Sequence, residues 1–141
     1  MAAAVCRHLE ASCVAVMDTH NAKLQRALDL GATHAVNIDN ESIEEAMTAM
    51  GIYEGFDICL EMSGNPDAYP IAFTHTKLQG KIALLGIPET PQATDWRAVI
   101  FKQLTVKGVQ GRKMPETRQR MGDLIKEGLN NHNPDSNCYN M

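Results

Sequence analysis

An α/β architecture built on a parallel, doubly wound sheet follows from two features of this 141-residue sequence. Short apolar runs alternate with segments of helical periodicity along the chain, the pattern of repeated βαβ units. An acid or a glycine stands where the apolar runs stop, at Asp18, Gly64 and Gly86, the place where a parallel strand hands over to its crossover.

Each element can be justified in turn. Ala2 to Leu9 place Ala2, Val5, Cys6 and Leu9 on one face and predict a helix. Cys13 to Met17 is a short apolar strand with Asp18 at its carboxyl end. Asn21 to Leu30 is an amphipathic helix with Leu24, Ala27 and Leu28 on its buried face, stopped by Gly31. Ala35 to Ile38 supplies the next strand, Asp39 and Asn40 turn the chain, and Ser42 with Glu45 forms a capping box opening a helix to Met50. "FDICLEMSG" carries a third strand, Asp57 to Met62, buried on both faces and closed at Gly64. A helix begins near Pro66 and takes in "NPDAYPIAFTHTKL", with Pro70 in its first turns. "GKIALLGIP" is a fourth strand, "WRAVIFKQL" a short helix with Trp96 packed under the sheet edge, and "TVKGVQG" a fifth strand. Pro115 to Glu127 is the last helix, with proline in its first turn. The closing "NNHNPDSNCYNM" has too little apolar material to bury itself, so 1–129 is expected to be the folded domain and 130–141 a disordered tail.

Composition narrows the function. A net charge of -4 and a pI near 5.7 offer no field for phosphate backbones, which argues against nucleic acid as a partner. The opening "MAAAVCRHLE" is too short an apolar run for a signal peptide, and no run approaches the roughly 18 residues of a membrane span, so a cytoplasmic protein is expected. Cys6, Cys13, Cys59 and Cys138 form no C-x-x-C pair and are expected as reduced, mostly buried thiols. His8, His20, His34, His75 and His132 lack metal-ligand spacing.

Ligands of such a sheet bind at the carboxyl ends of its strands. The candidate positions are therefore Asp18, Ser63 with Gly64, Gly86 with Ile87, and Val109 to Gly111. Asp18 admits two roles: hydrogen bonding to an adenosine ribose, or capping the helix that follows. Lys23, one turn further, either approaches a ribose or phosphate or is simply solvated. Glu61, inside a buried strand, needs a partner or a raised pKa. No Ser-His-Asp spacing, facing carboxylate pair or metal set is visible that would run a reaction unaided. A ribose-binding acid stands about 20 residues after a glycine-rich phosphate turn, and residues 1–12 contain no glycine.

With "VMDTHNAKLQRALDLGATHAVN", "GFDICLEMSGNPDA", "GKIALLGIP", "DWRAVIFKQLTVKGVQGR" and "MPETRQRM" in order, the chain resembles the nucleotide-binding domain of the zinc-dependent medium-chain alcohol dehydrogenases from Met1 to about Leu129. That domain is a Rossmann-type sheet. Within the family the chain is most similar to the branch that oxidises L-threonine with NAD to 2-amino-3-oxobutanoate; a polyol or sorbitol dehydrogenase is the alternative. The resemblance implies that Asp18 is the ribose-binding acid and that Lys23 stands at the adenosine end, where the family usually has arginine. It implies that Leu85, Gly86 and Ile87 form the loop touching the nicotinamide half, and that Val109 and Gln110 lie beside the nicotinamide, Gln110 replacing a common aromatic residue. NAD is implied over NADP, because Lys23 is the one basic residue near Asp18 that could meet a 2'-phosphate.

The resemblance also implies that strand 1 and its glycine-rich turn precede the position of Met1. The sheet is then incomplete, with strand 1 missing and full backbone edges exposed on either side, at a cost of several kcal/mol. The family's zinc ligands and proton relay lie in an upstream domain, so the chain alone is expected not to catalyse. Subunits of the family commonly pair through this domain, with the strand near Val106 at the sheet edge. A non-catalytic nucleotide-binding or subunit-pairing module is the reading from another class.

Overall fold

The computed structural model describes residues 1–110, 114–126 and 129. Its elements are α1 (Ala2–His8), β1 (Ala15–Asp18), α2 (Asn21–Asp29), β2 (His34–Asn37), α3 (Ile43–Ala49), β3 (Phe56–Glu61), α4 (Ala68–His75), β4 (Thr76–Leu84), α5 (Trp96–Phe101), β5 (Thr105–Gly108) and α6 (Met114–Lys126). Every strand pair is parallel. The alternating α/β order is the one the sequence predicts. The chain divides into two compact units, Met1–Ala46 with Lys113–Met141, and Met47–Arg112, the boundary falling within α3.

In the first unit β1 pairs with β2, and α2 makes the crossover between them. Leu24 and Val36 are buried, and Ala3, Val14 and Ala32 pack with Cys6, Ala11, Val16 and Ala27. A second cluster joins Ala4 of α1 to Leu124 of α6 and to Leu129. The end of α2 is a Schellman turn: Gly31 N donates to Leu28 O at 3.0 Å and Ala32 N to Ala27 O at 2.9 Å, with Gly31 at φ +100°. Gly31 thus stops the helix as its position predicts. Leu28, expected on the buried face, is 38% exposed instead, because the short sheet draws in only Leu24 and Ala27. At the start of α3, Glu45 N reaches Ser42 Oγ at 3.4 Å, but the Ser42 hydroxyl donates to Glu44, so the capping box is one-sided.

The second unit is a sheet in the order β3-β4-β5, with α4 and α5 as its crossovers. Tyr69, Ala72, Phe73, Ile82 and Leu104 form its core, with Cys59, Leu84, Ala98, Val99 and Val106 packed against them. Cys59 faces that core, whereas Ile58 is 60% exposed and Leu60 and Met62 are exposed with it. The sequence expects β3 to be buried on both faces; within its unit, only the face carrying Cys59 packs into the core. Both β1 and β3 pair along one edge only among the described residues.

The helix expected through Leu78 ends at His75, and β4 starts at once with the fully buried Thr76. Two contacts enforce this. The Thr76 hydroxyl donates to Ala72 O at 2.7 Å, and Lys102 Nζ, arriving from after α5, donates to the carbonyls of Phe73, Thr74 and Thr76. An ammonium on the last carbonyls of a helix satisfies orphan acceptors and opposes the helix dipole. The register between β3 and β4 then slips, from Phe56↔Thr76 to Ile58↔Lys81, before the ladder becomes regular. Pro70 lies in the first turn of α4, where no intrahelical acceptor exists for an N–H.

Trp96 is not under the sheet edge: it is 61% exposed, because α5 turns Ala98 and Val99 inward. Cys6, Cys13 and Cys59 form no disulfide among the described residues, as expected, but are only half-buried. Cys138, His132, Gly111, Glu127 and the predicted tail 130–141 lie outside the described residues. No helix among the described residues is long and apolar enough to cross a membrane.

Replacing Lys102 by Met removes the cap on α4 while keeping the apolar stem. Chemical denaturation should show a loss of about 1–2 kcal/mol; an unchanged midpoint would mean that the three carbonyls are equally well served by water.

Candidate functional site

The parallel registers bring the last residues of neighbouring strands side by side. Asp18 is the partner of Asn37 in the first unit; in the second, Glu61 is the partner of Leu84 and Leu84 of Gly108. Each set marks the carboxyl rim of its sheet, where ligands of parallel sheets bind.

At the first rim Asp18 ends β1 with its side chain 28% exposed. Oδ1 accepts from His20 N at 2.9 Å and lies 3.2 Å from His20 Nδ1, while Oδ2 is 3.6 Å from Lys23 Nζ. Burial pushes the Asp18 carboxyl up, but the hydrogen bonds from the His20 amide and ring and the Lys23 charge outweigh it, and the net shift is downward. The side chain closes an Asx turn at the entry to α2; the N-cap itself is His20, whose side chain makes no capping bond to the helix amides. Lys23 is exposed and held near Asp18. Buried Asn37 braces this loop, donating through Nδ2 to Asn21 Oδ1 at 2.5 Å and to Thr19 O at 3.3 Å.

At the second rim, residues 84–87 and 108–110 line a cleft of about 410 Å³. Leu85, Gly86, Ile87, Val109 and Gln110, five of the residues singled out from sequence, are thus brought together around one space. The amides of Leu85 and Gly86 are used by Glu61 O, at 2.8 and 3.2 Å, and that of Val109 by Leu84 O at 2.8 Å. The Leu85 carbonyl and the Gln110 amide take no part in backbone pairing among the described residues. The Gly86 carbonyl accepts from the Tyr69 hydroxyl at 3.0 Å.

Asn37, His20 and Tyr69 shape these two rims and were not picked out from sequence. A signal exists for Asn37 alone: a polar residue ending one parallel strand beside the end of its neighbour. Tyr69 reads as an ordinary apolar residue of a helix, and only the fold aims its hydroxyl at a carbonyl 17 residues away. Among the described residues no three of His, Cys, Asp or Glu are grouped so as to hold a metal ion.

A sequence profile described as "Zinc-binding dehydrogenase" matches residues 1–127. The chain belongs to the zinc-binding dehydrogenase family. L-Threonine 3-dehydrogenase of Aliivibrio salmonicida is 48% identical over 129 residues, which are 92% of this chain and 38% of that protein. The chain thus spans well under half the length of this relative. Solved structures agree on the fold: a zinc-binding dehydrogenase from Sinorhizobium meliloti, bound to NADP, superimposes with a TM-score of 0.80 at 21% identity, covering 90% of this chain and 38% of that one. An alcohol dehydrogenase from Escherichia coli complexed with NADH gives 0.77 at 21% identity, covering 90% and 37%. For this family member the fold is therefore the Rossmann-like parallel α/β fold of those structures.

Because the folded Asp18 carboxyl lies below its ordinary value, its contribution to stability is complete above the unfolded pKa of about 4 and is lost as pH falls through the folded value. Asp18→Asn should therefore lower the urea midpoint at pH 7 and converge on the parent protein only once pH has fallen below the folded value. A gap that stays constant with pH would assign the loss to something other than the carboxylate charge.

Proposed function

We propose that this chain is the NAD-binding part of an oxidoreductase of the L-threonine 3-dehydrogenase type, and that it binds NAD without catalysing by itself. The observation that supports this best is the 48% identity over 92% of the chain, a stretch that includes every residue of both rims. Asp18, ionised at neutral pH, accepts hydrogen bonds from the adenosine ribose hydroxyls. Lys23 offsets part of that charge. The Leu85 carbonyl and the Gln110 amide offer one acceptor and one donor, a pairing suited to the planar carboxamide of a nicotinamide. Leu85, Ile87 and Val109 supply apolar surface for the ring. Bound NAD supplies a hydride acceptor; the residues described here bind and orient it. The preference for NAD over NADP rests on the Asp18 charge, which repels a 2'-phosphate more than one lysine offsets.

Titration with NADH, followed by its fluorescence, tests the reading. Asp18→Asn should weaken binding about 10–100-fold, the worth of hydrogen bonds to a charged acceptor, and NADPH should bind more weakly than NADH. Equal affinity in parent and variant would remove Asp18 from the site. With L-threonine, NAD and zinc, the purified chain should produce no NADH; turnover would overturn the claim that it is inactive alone. L-Threonine as the substrate of the complete enzyme is part of the proposal, with a polyol as the competing class, and turnover by a full-length relative with the same rim residues separates them.

A second reading has an observation of its own. β5 ends the three-stranded sheet, and β1 and β3 each carry an unpaired edge among the described residues, so pairing with another subunit through a sheet edge, near Val106 in β5, is a role that does not require chemistry. Light scattering on the purified chain should then show a dimer, whereas a monomer at all concentrations removes this reading.

A further inference from the structure

Below the wall of the cleft, at the last position of β3, lies an acid that no cation pairs with among the described residues. Glu61 is 4% exposed. Its Oε1 accepts from Ser63 N at 2.7 Å, Ser63 Oγ at 2.6 Å and Gly64 N at 3.0 Å, while Oε2 is buried and has no hydrogen-bond partner among the described residues. An undonated, buried carboxylate oxygen is unfavourable, so filling space does not account for an acid here. Its negative charge is felt around it: burial first and Glu61 second push up both the Cys59 thiol and the Tyr69 phenol.

Four backbone amides converge on this residue. Ser63 and Gly64, in the turn after β3, donate to its side chain; Leu85 and Gly86, in the cleft wall after β4, donate to its carbonyl. The two segments also touch directly. A Cβ on Gly86 would stand 2.0 Å from Gly64 N and 2.6 Å from Glu61 Oε2, and a Cβ on Gly64, which sits at φ +71°, would stand 2.6 Å from Ile87 O. Neither glycine can carry a side chain without parting the segments. The Tyr69 hydroxyl holds Gly86 from another side.

We infer that Glu61 is a positioning residue: fixed to the turn through Oε1 and to the wall through its carbonyl, it seats Gly64 against Gly86 and Ile87 and so sets where the backbone groups of the cleft point. This rests on the reading that the cleft takes the nicotinamide half of NAD. A residue that merely capped the turn would leave the wall indifferent to its charge. The carboxylate matters because Oε1 gathers three donors, and because a Gln amide in the same place would set an N–H₂ against the Gly86 backbone where Oε2 now lies.

Amide hydrogen exchange on the full chain, with Glu61→Gln and Glu61→Asp beside the parent, reads this directly. Protection should fall about tenfold or more at Ser63 and Gly64 and also at Leu85 and Gly86, the wall amides that donate to Glu61. Loss confined to Ser63 and Gly64 would reduce Glu61 to a turn cap and overturn the inference. If Glu61→Gln does not fold, the Asp variant, which keeps the charge but is one methylene too short to hold one oxygen at the turn amides and the other against Gly86, gives the same decision. Binding supplies the readout that general loosening would not move: Glu61→Gln should weaken NADH about tenfold and leave ADP-ribose, which lacks the nicotinamide, within about twofold. Equal weakening of both ligands would count against a positioning role. Should the parent chain bind neither, the proposed cofactor role fails, while the exchange pattern still decides for or against Glu61.

Discussion

Parallel strand pairing is the constraint on which the rest of this molecule depends. A parallel neighbour cannot be reached by a hairpin, so each connection is a crossover that returns the chain to the same end of its sheet. The carboxyl ends of β1 and β2, and separately those of β3, β4 and β5, therefore lie side by side. That alone places Asp18 beside Asn37, and Glu61, Leu84 and Gly108 in a row. The chemistry of each rim is then decided by which residue happens to be last in its strand.

Where structure is set by neighbours in sequence, the chain could be read. The stop of α2 at Gly31 is one example, since both bonds of its closing turn lie within five residues. The junction of α4 and β4 is the opposite. "THTKL" carries no breaker, and the helix ends there because Lys102 delivers an ammonium to its last carbonyls across 26 to 29 residues of chain. The burial of β3 was misread for a related reason: an apolar run shows that a strand tolerates cover on both faces, not that both covers are present. Trp96 shows the same limit on α5, where periodicity left open which side of a short helix faces inward.

The rim residues divide along the same line. Gly86, Ile87, Val109 and Gln110 were legible because strand ends can be located from apolar runs and their glycines, Leu85 came only from the family resemblance, and the structure gathers all five around one cleft. The support behind them was not legible. Asn37 acts on residues 16 and 18 positions earlier, and Tyr69 on a carbonyl 17 positions later. Glu61 was visible as an oddity, a charge in an apolar strand, and its several roles emerged only when the turn after β3 and the wall after β4 were seen in contact.

The exposed row on β3 bears on how the chain fares in a cell. Ile58, Leu60 and Met62 project together from a strand whose outer edge is unpaired among the described residues, and an apolar strand with a free edge is a template for cross-β addition. Lys77, paired with Asp57, is a nearby charge of the gatekeeping kind, but it sits at the amino end of β3 and leaves the apolar row beyond it unguarded. Whatever covers that row sets the concentration of dispersed protein that can be sustained; left bare, it is the feature that chaperones and proteases are built to recognise.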